Sequence, residues 1–402
     1  MKSSMKIWIL KDSEQLPLAP GAKQMRVGML AETLAGRGHA VRWYCSTFHH
    51  RAKTLYAEAD KEITLPTGVV VQMLHAGTYR SNLSLARILH HRRLAKRWRE
   101  HAERSTETPD LILVAYPIIE WVREAQAYAR PRGIPVVVDV RDQWPDTFAD
   151  YAPPALKPLV RLGVALLYPY AGRMLREADY LTSMSTNVLG WAIQKSGRSD
   201  GDRCRVFYLG TELSEGEEIT RVPAPPGAPV RVSFLGSLGH TADVLTIAET
   251  AKLLADSGTP IHITIAGDGE MMENLRALQG DPERFSLPGW MDTASARALL
   301  RITDIALLTG HNEAMPNKFF DYLAAGLPIV CSLRGECREY VEAHGLGRTC
   351  PSGDAAALAE AIRMVAADLP RYRAACAKVP PAHYAKRAIY TAFAEFLETR
   401  PA

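Results

Sequence analysis

The stretch HNEAMPNKFFDYLAAGLPIV, from His311 to Val330, decides how the fold of this chain is interpreted. It places two carboxylates, Glu313 and Asp321, around the start of a predicted short helix whose first position suits Pro316. The helix is predicted to end at Gly326, and a buried strand follows it. Because free N–H groups at a helix start favour anions, the pattern is typical of a phosphate-binding clamp. An amphipathic helix whose charges face water would fit the same spacing.

The same alternation of strands and helices extends over the whole chain of 402 residues. Apolar strand-like runs alternate with helical stretches from KIWIL at 6–10 to CRVFYLG at 204–210, which predicts a doubly wound α/β domain. The pattern restarts at VRVSFLG, 230–236, after an acidic and proline-rich stretch. The predicted parts are a first Rossmann-like domain over 1–210, a linker over 211–229 and a second Rossmann-like domain over 230–375. Two such domains facing across a cleft would bind a ligand at the carboxyl ends of their strands.

Composition and charge narrow the functional classes. The net charge of +4 is mild, and no basic patch with interleaved aromatic residues indicates a nucleic-acid partner. The six cysteines show neither a C-x-x-C pair nor a zinc spacing, so we expect free thiols in a reducing cytosol. We expect no signal peptide and no membrane span, because the longest apolar runs are too short. The first strand-to-helix turn lacks G-x-G-x-x-G, which argues against a nicotinamide dinucleotide.

The segment LARILHHRRLAKRW, from Leu85 to Trp98, predicts a basic amphipathic helix. Its apolar stripe consists of Leu85, Ile88, Leu89, Ala95 and Trp98. The neighbouring cations Arg92, Arg93, Lys96 and Arg97 would contact an anionic membrane surface. An ordinary surface helix that packs its stripe on the sheet is the alternative.

With these pieces in order, the chain resembles the retaining nucleotide-sugar glycosyltransferases of family 4, in the subgroup that builds bacterial surface polysaccharides. The motif from Glu313 to Pro328 is similar to the E-x7-E signature of that family. The strand ending in AGDG (266–269), the LPGW loop (287–290) and DVRDQWP (139–145) support the resemblance. It implies the GT-B architecture, two doubly wound Rossmann-like domains facing across a cleft, with a C-terminal helix over 376–402 that crosses back to the first domain.

The resemblance also implies a role for each matching residue. Glu313 would hold the hydroxyls of the transferred sugar, and Asp321 would accept hydrogen bonds from the nucleotide ribose. The implied catalytic residues are Glu313, Asp142 and Arg141, although Arg141 and Asp142 would also fit an ion pair at a strand end. The implied donor-binding residues are Lys318, Asp321, Asn317, Met315, Gly236, Gly239, Gly267, Gly289 and Trp290. Gly21 and Lys23, in the first loop, would approach the diphosphate or the acceptor, with plain solvation as the alternative.

Three departures from the family pattern bear on these roles. The second acid is Asp321 where the family has Glu. The Arg and Lys that often follow the first strand of the second domain are absent from FLGSLGHT (234–241), which leaves the diphosphate to Lys318 and to backbone donors near Gly236. Arg141 stands where many members have a histidine, and a guanidinium stays protonated and cannot act as a base.

The implied activity is the retaining transfer of a sugar from a nucleotide diphosphate, with a UDP-sugar favoured, to a lipid-linked or growing polysaccharide acceptor. No cofactor is expected, and no Asp-x-Asp cluster suggests a metal. The expected location is the cytoplasm, with peripheral contact at the cytoplasmic face of the inner membrane. Two alternatives remain open: a nucleotide-sugar 2-epimerase of the same architecture, and a non-catalytic nucleotide-sugar-binding partner in a polysaccharide assembly complex.

Overall fold

The structure is a computed structural model that describes most of the chain. The described residues are 4–18, 25–50, 52–81, 84–150, 156–199, 201–212, 219, 221–311 and 315–399. Contacts between residues divide the chain into two compact units: the first runs to Tyr208 and resumes at Tyr390, and the second extends from Leu209 to Ile389. The segment 211–229, predicted as a linker, groups with the second unit, and the chain rejoins the first unit at Tyr390 instead of near 376.

Within the described residues, the first unit is built on an eight-stranded sheet and a separate two-stranded ribbon. The strands are β1 (Lys6–Leu10), β2 (Ala40–Ser46), β3 (Phe48–His49), β4 (Thr54–Leu55), β5 (Lys61–Thr64), β6 (Val70–Leu74), β7 (Leu111–Tyr116), β8 (Val136–Val140), β9 (Tyr180–Ser183) and β10 (Cys204–Val206). The order in the sheet is β10-β9-β8-β7-β1-β2-β6-β5, parallel throughout except for β5 against β6. The central strand β7 is apolar and buried along its whole length, which is typical of a parallel strand covered on both faces.

Helices cover the sheet of the first unit. They are α1 (Arg26–Gly36), α2 (Leu85–Arg104), α3 (Ile119–Ala129), α4 (Thr147–Asp150), α5 (Lys157–Ala165), α6 (Tyr168–Arg176) and α7 (Thr186–Ser196). Buried side chains of α2, α3, α6 and α7 share one core with the sheet, in which Trp8, Trp98 and Trp121 are among the largest members. The helix α2 begins after Ser84, whose hydroxyl accepts a hydrogen bond from the Arg87 N–H as an N-cap.

The described part of the second unit contains a six-stranded parallel sheet. Its strands are β11 (Val230–Leu235), β12 (Ile261–Ala266), β13 (Phe285–Gly289), β14 (Ile305–Leu308), β15 (Ile329–Cys331) and β16 (Gly347–Thr349). Its helices are α8 (Val244–Asp256), α9 (Met272–Leu278), α10 (Thr293–Ile302), α11 (Asn317–Ala324), α12 (Glu336–Ala343), α13 (Ala355–Ala367) and α14 (Leu369–Cys376). The order β13-β12-β11-β14-β15-β16 reverses direction between β11 and β14, as in a doubly wound fold. The predicted α/β class is confirmed.

The last helix, α15 (Lys386–Glu398), begins in the second unit and ends in the first. Its C-terminal half brings Phe393 against Phe207, with the two rings stacked at a centroid distance of 4.2 Å. Within the described residues, none of the helices combines the length and the apolar character needed to cross a bilayer.

Candidate active site

Glycines line the carboxyl edge of the second sheet. Gly236 follows β11, Gly267 follows β12 and Gly289 ends β13, each with a positive φ. A Cβ on Gly267 would lie 1.8 Å from the carbonyl oxygen of Gly236, and one on Gly269 would lie 2.8 Å from the backbone of Leu238. The loops after β11 and β12 therefore pack backbone against backbone, and this packing requires glycine at 267 whether or not a ligand binds there.

Lys318, in the first turn of α11, lies directly beside this glycine edge. Its Nζ is 3.5 Å from the ring centre of Phe234 and 3.1 Å from the position that a Cβ on Gly236 would take. Burial lowers the pKa of the Lys318 ammonium to about 7. Within the part of the chain that the structure describes, no carboxylate forms an ion pair with Lys318, so the charged form is stabilised chiefly by the face of Phe234.

Asp321 lies one turn further along α11. Its Oδ1 accepts a hydrogen bond from the hydroxyl of Thr211, and the side chain is half-buried. The next residue, Tyr322, is fully buried, and its hydroxyl oxygen accepts a hydrogen bond of 3.0 Å from the Leu235 N–H. Tyr322 thus fixes α11 to the end of β11, which brings Lys318 to the Gly236 loop.

The start of α11 differs slightly from the prediction. The helix begins at Asn317, which is exposed, and Pro316 occupies the cap position, where it makes no side-chain hydrogen bond to the first turn. Met315 is half-buried. Glu313, the predicted sugar-binding acid, lies outside the described residues, as do Gly21 and Lys23 of the first loop.

His311 joins a polar cluster that the sequence did not indicate. Its backbone N–H donates to the Thr241 carbonyl at 3.1 Å, and its Nδ1 lies 2.6 Å from the Ser352 hydroxyl. Its Nε2 lies 3.5 Å from Asp243, which also accepts a hydrogen bond of 2.9 Å from the Gly353 N–H. The cluster holds the chain at the end of β14, immediately before Glu313, and it joins segments too distant in sequence for a motif to reveal.

Gly239 and Trp290 occupy different surroundings from Lys318. Beside Gly239, the backbone N–H of His240 donates a hydrogen bond of 3.1 Å to Oε1 of Glu270. Backbone N–H groups of this loop were expected to bind a phosphate, and this one already binds a carboxylate. Trp290 follows β13, and the residue is 72% exposed. An exposed aromatic face at the sheet edge is chemically suited to stack on a planar ring.

Arg141, at the end of β8, is engaged in a buried ion-pair network. Its Nε donates to Asp139 at 2.9 Å and its Nη1 donates to Glu14 at 2.9 Å. Asp139 also accepts two hydrogen bonds from Arg26, at 3.0 and 2.9 Å. Although burial alone would raise the pKa of Asp139, the two guanidinium groups hold it below its usual range. The ion-pair alternative for Arg141 therefore has support, with Asp139 and Glu14 as partners.

Asp142 remains beside this network at the same edge. It is half-buried and follows β8 by two residues. Burial raises the pKa of the nearby Tyr116 hydroxyl, and the charge of Asp142 adds to that shift. Sequence reasoning missed Arg26, because this first residue of α1 and its partner Asp139 are 113 positions apart.

A second polar cluster lies where β1, β2 and β6 end. The buried Asp12 accepts a hydrogen bond of 2.9 Å from the Ser46 N–H, and its Oδ2 lies 3.8 Å from Nε2 of His90. His50 contacts the Tyr79 hydroxyl at 2.5 Å, and Lys53 lies 4.7 Å from the Tyr79 ring centre. This cluster is at the carboxyl edge of the first sheet, where doubly wound domains bind ligands.

The basic helix α2 has features of both predicted alternatives, a packed surface helix and a helix with exposed apolar residues. Ala95 and Trp98 are buried in the core, as an ordinary packed helix requires, whereas Leu85, Ile88 and Leu89 are exposed. Three of the predicted membrane cations lie near carboxylates: Arg97 with Asp60 at 2.6 Å, Arg92 with Glu120 at 3.7 Å, and Lys96 with Glu100 at 3.9 Å. Arg93 lies beside Gly77. Membrane contact through α2 stays a prediction.

The described residues contain no group of three or more His, Cys, Asp or Glu side chains arranged to hold a metal ion. At the second sheet, the structure brings together an ammonium, a half-buried carboxylate, a helix start and glycine-rich loops. Such an edge suits a ligand with negative charge at one end and hydroxyl groups near it.

Comparison with known proteins identifies relatives for both units. A model of "Glycosyltransferase Family 4" matches residues 24–215, and a model of "Glycosyl transferases group 1" matches residues 229–368. The chain is 27% identical to the colanic acid biosynthesis glycosyltransferase WcaL of Escherichia coli over 201 residues, 48% of each chain. It is 26% identical to the lipopolysaccharide core biosynthesis glycosyltransferase LpsE of Rhizobium meliloti over 243 residues, 57% of this chain and 67% of the relative. The first of these alignments spans about half the length of the relative.

Solved structures share the fold. The Anabaena protein HepE in complex with UDP aligns with a TM-score of 0.63 at 16% identity, covering 98% of this chain and 100% of that one. At such low identity the likeness concerns the fold alone. It confirms the predicted architecture of two Rossmann-like domains.

Proposed function

Because the chain belongs to the glycosyltransferases of family 4, we propose that it transfers a sugar from a nucleotide diphosphate to a lipid-linked or growing surface-polysaccharide acceptor. The observation that carries the proposal is Lys318, a half-buried ammonium held against the glycine edge of the second sheet. Burial of a cation is unfavourable unless an anion or an aromatic face compensates it. A diphosphate at this edge would supply the missing negative charge.

The donor would lie along the start of α11. Its diphosphate would contact Lys318, Asn317 and the backbone near Gly236, where the helix start also favours negative charge. Asp321 would accept hydrogen bonds from the ribose while keeping its bond from Thr211, since a carboxylate has several acceptor positions. Trp290 and Gly289 would contact the base. The relatives that build colanic acid and lipopolysaccharide, and HepE with its bound UDP, support a polysaccharide acceptor and a UDP-sugar.

The proposed chemistry is a retaining transfer without a metal. As the bond between the sugar C1 and the phosphate oxygen breaks, negative charge grows on the departing diphosphate, and Lys318 and the first-turn N–H groups stabilise it. The acceptor hydroxyl forms the new bond to C1 on the same face and gives its proton to the departing phosphate. Glu313 would hold the sugar hydroxyls during this step. This step needs no protein base, and Arg141, which donates to Asp139 and Glu14, stays protonated and would not serve as one.

A donor screen followed by a transfer assay tests the proposal. We expect UDP to raise the melting temperature of the protein more than ADP or GDP does, because a ligand stabilises the folded state that binds it. With a UDP-sugar and a lipid-linked acceptor, in the presence of EDTA, we expect an α-linked product from an α-linked donor. Glu313→Ala should abolish transfer with an unchanged melting temperature.

Three outcomes would count against the proposal. Full transfer by the Glu313→Ala variant would remove the catalytic assignment. Conversion of the donor sugar to its 2-epimer by the protein alone would identify an epimerase. Tight donor binding with neither hydrolysis nor transfer would favour a non-catalytic partner of an assembly complex.

A further inference from the structure

The helix α5, together with Leu156 before it and Leu166 after it, presents an apolar face to solvent. Leu159 is 67% exposed, Leu162 is 69% exposed and Leu166 is 81% exposed, and Leu156 is exposed as well. Spacings of three and four residues place these leucines on one side of a helix. Val164 is the only buried residue among the described side chains of α5. This leucine face (Leu156, Leu159, Leu162 and Leu166) therefore points away from the core.

The same exposed line continues into α6. Leu166 and Leu167 keep right-handed helical dihedral angles, so α5 and α6 form one nearly continuous helical run. Tyr170 and Arg173 continue the three- and four-residue spacing from Leu166, and both are exposed. From 156 to 176 the sequence contains Lys157, Arg161, Arg173 and Arg176 and no aspartate or glutamate. The apolar face thus belongs to a segment of purely positive charge.

A groove of about 650 Å³ adjoins α6 at its far end. Tyr170 and four arginines contribute to its lining: Arg123, Arg130, Arg173 and Arg203. The two carboxylates in the lining are already engaged, since Glu177 accepts from Arg173 Nε at 2.7 Å and Asp179 accepts from the Val136 N–H at 2.7 Å. Arg123 also pairs with Glu124, outside the lining, at 2.8 Å. The four arginines still outnumber the three neighbouring carboxylates, so the groove has a net positive charge, and guanidinium groups match phosphate geometry well.

We propose that the leucine face and this arginine groove dock the first unit on an anionic phospholipid surface. The leucines would enter the boundary between head groups and acyl chains, and the arginines would bind lipid phosphates. A second copy of the chain is a poorer partner, because a symmetric contact through this face would bring two acid-free cationic segments together. The docking goes beyond the proposed function, since it requires neither donor nor acceptor.

Both this surface and the one predicted on α2 contain ion pairs: Arg123 lies 2.8 Å from Glu124 here, and Arg97 lies 2.6 Å from Asp60 on α2. What distinguishes this surface is the row of four exposed leucines beside its cations. The two surfaces belong to the same helical layer, because α3 packs against both α2 and α6. The exposed Leu85, Ile88 and Leu89 of α2 would extend the footprint, whereas the leucine face supplies its apolar centre.

Vesicle flotation of the full chain tests the docking. We expect binding to vesicles of phosphatidylglycerol with phosphatidylethanolamine and little binding to phosphatidylcholine alone. The triple variant Leu159→Ser, Leu162→Ser, Leu166→Ser should lower the partition coefficient at least about tenfold, because three buried leucines would be lost from the contact. The variant Arg123→Gln, Arg130→Gln, Arg173→Gln should lose the preference for the anionic lipid.

The double variant Leu253→Ser, Leu278→Ser is the matched control, since it removes two exposed leucines of the second unit. It should bind vesicles as the original chain does. The inference would be overturned in favour of α2 by two results together. The triple leucine variant would float with the vesicles as before, and only charge reversal on α2 would release the protein, at Arg92, Arg93, Lys96 and Arg97. A triple variant that changes only the oligomeric state in sedimentation would identify a second copy as the partner. The melting-temperature response to UDP, measured on the same variants, distinguishes a failure of docking from a failure of the proposed function.

Discussion

At the scale of single residues, Lys318 is the group whose charge would couple the stability of the second unit to binding of the proposed diphosphate. Burial lowers the pKa of its ammonium from 10.5 to about 7, so between these values the unfolded chain holds a proton that the folded chain lacks. Stability therefore rises with pH across this window, and the cost of the buried charge is full below pH 7. A diphosphate bound beside Lys318 would raise the pKa of the ammonium again, because a neighbouring anion favours the charged lysine.

We predict that the affinity for UDP falls as the pH rises above 7. Each pH unit between the pKa of the free protein and the higher pKa of the complex should raise the dissociation constant by up to about tenfold. The change Lys318→Arg should remove this pH dependence, since a guanidinium stays charged, and Lys318→Met should bind weakly at every pH. Isothermal titration from pH 6 to 9 measures the effect, with Lys252→Met, an exposed lysine of α8, as the control. A pH-independent affinity in the unmodified protein would show that Lys318 does not contact the diphosphate.

At the scale of elements, the loops after β11 and β12 depend on one glycine. A Cβ at 267 would lie 1.8 Å from the Gly236 carbonyl oxygen, and the φ of 151° is unfavourable for any other residue. We predict that Gly267→Ala destabilises the second unit by about 3 kcal/mol and weakens UDP binding, because the loops must separate. Urea unfolding and UDP titration measure both effects. Gly280→Ala, at a position with open space and an ordinary φ, should change neither, and a Gly267→Ala variant that behaves like it would refute the argument.

The same loops show what a sequence can and cannot predict. The motif around AGDG indicated a turn at the sheet edge, and strand periodicity placed it correctly at the carboxyl end of β12. The reason for Gly267 is its approach to Gly236, and a contact between loops some thirty positions apart leaves no local pattern. The role of Arg26 could not be predicted for the same reason: only the folded sheet brings its partner Asp139 close to it. The sequence of α2 also could not show which side chains of its apolar stripe face the core. Ala95 and Trp98 are buried, whereas the other three members of the stripe are exposed.

At the scale of the whole molecule, the chain leaves the first unit at Tyr208 and returns to it at Tyr390. The returning half of α15 is anchored by Phe393, which is fully buried, stacks on Phe207 and lies 5.1 Å from the Arg26 guanidinium. Arg26 in turn binds Asp139. The last helix therefore covers the part of the first unit's core around Phe207 and the adjacent ion pair of Arg26 with Asp139. Removal of this helix would expose the core and the ion pair to water.

We predict that Phe393→Ala destabilises the first unit by about 3–5 kcal/mol, the usual cost of deleting a buried phenylalanine. Six of the seven tryptophans lie in the first unit, and only Trp290 lies in the second, so tryptophan fluorescence in urea follows the unfolding of the first unit almost alone. Phe148→Ala, which removes an exposed ring of α4, is the control and should shift the midpoint little. If the returning helix stabilises only the first unit, the Phe393→Ala variant should still bind UDP at low urea with unchanged affinity. An unaltered fluorescence midpoint in this variant would mean that the chain does not need α15 to complete its first core.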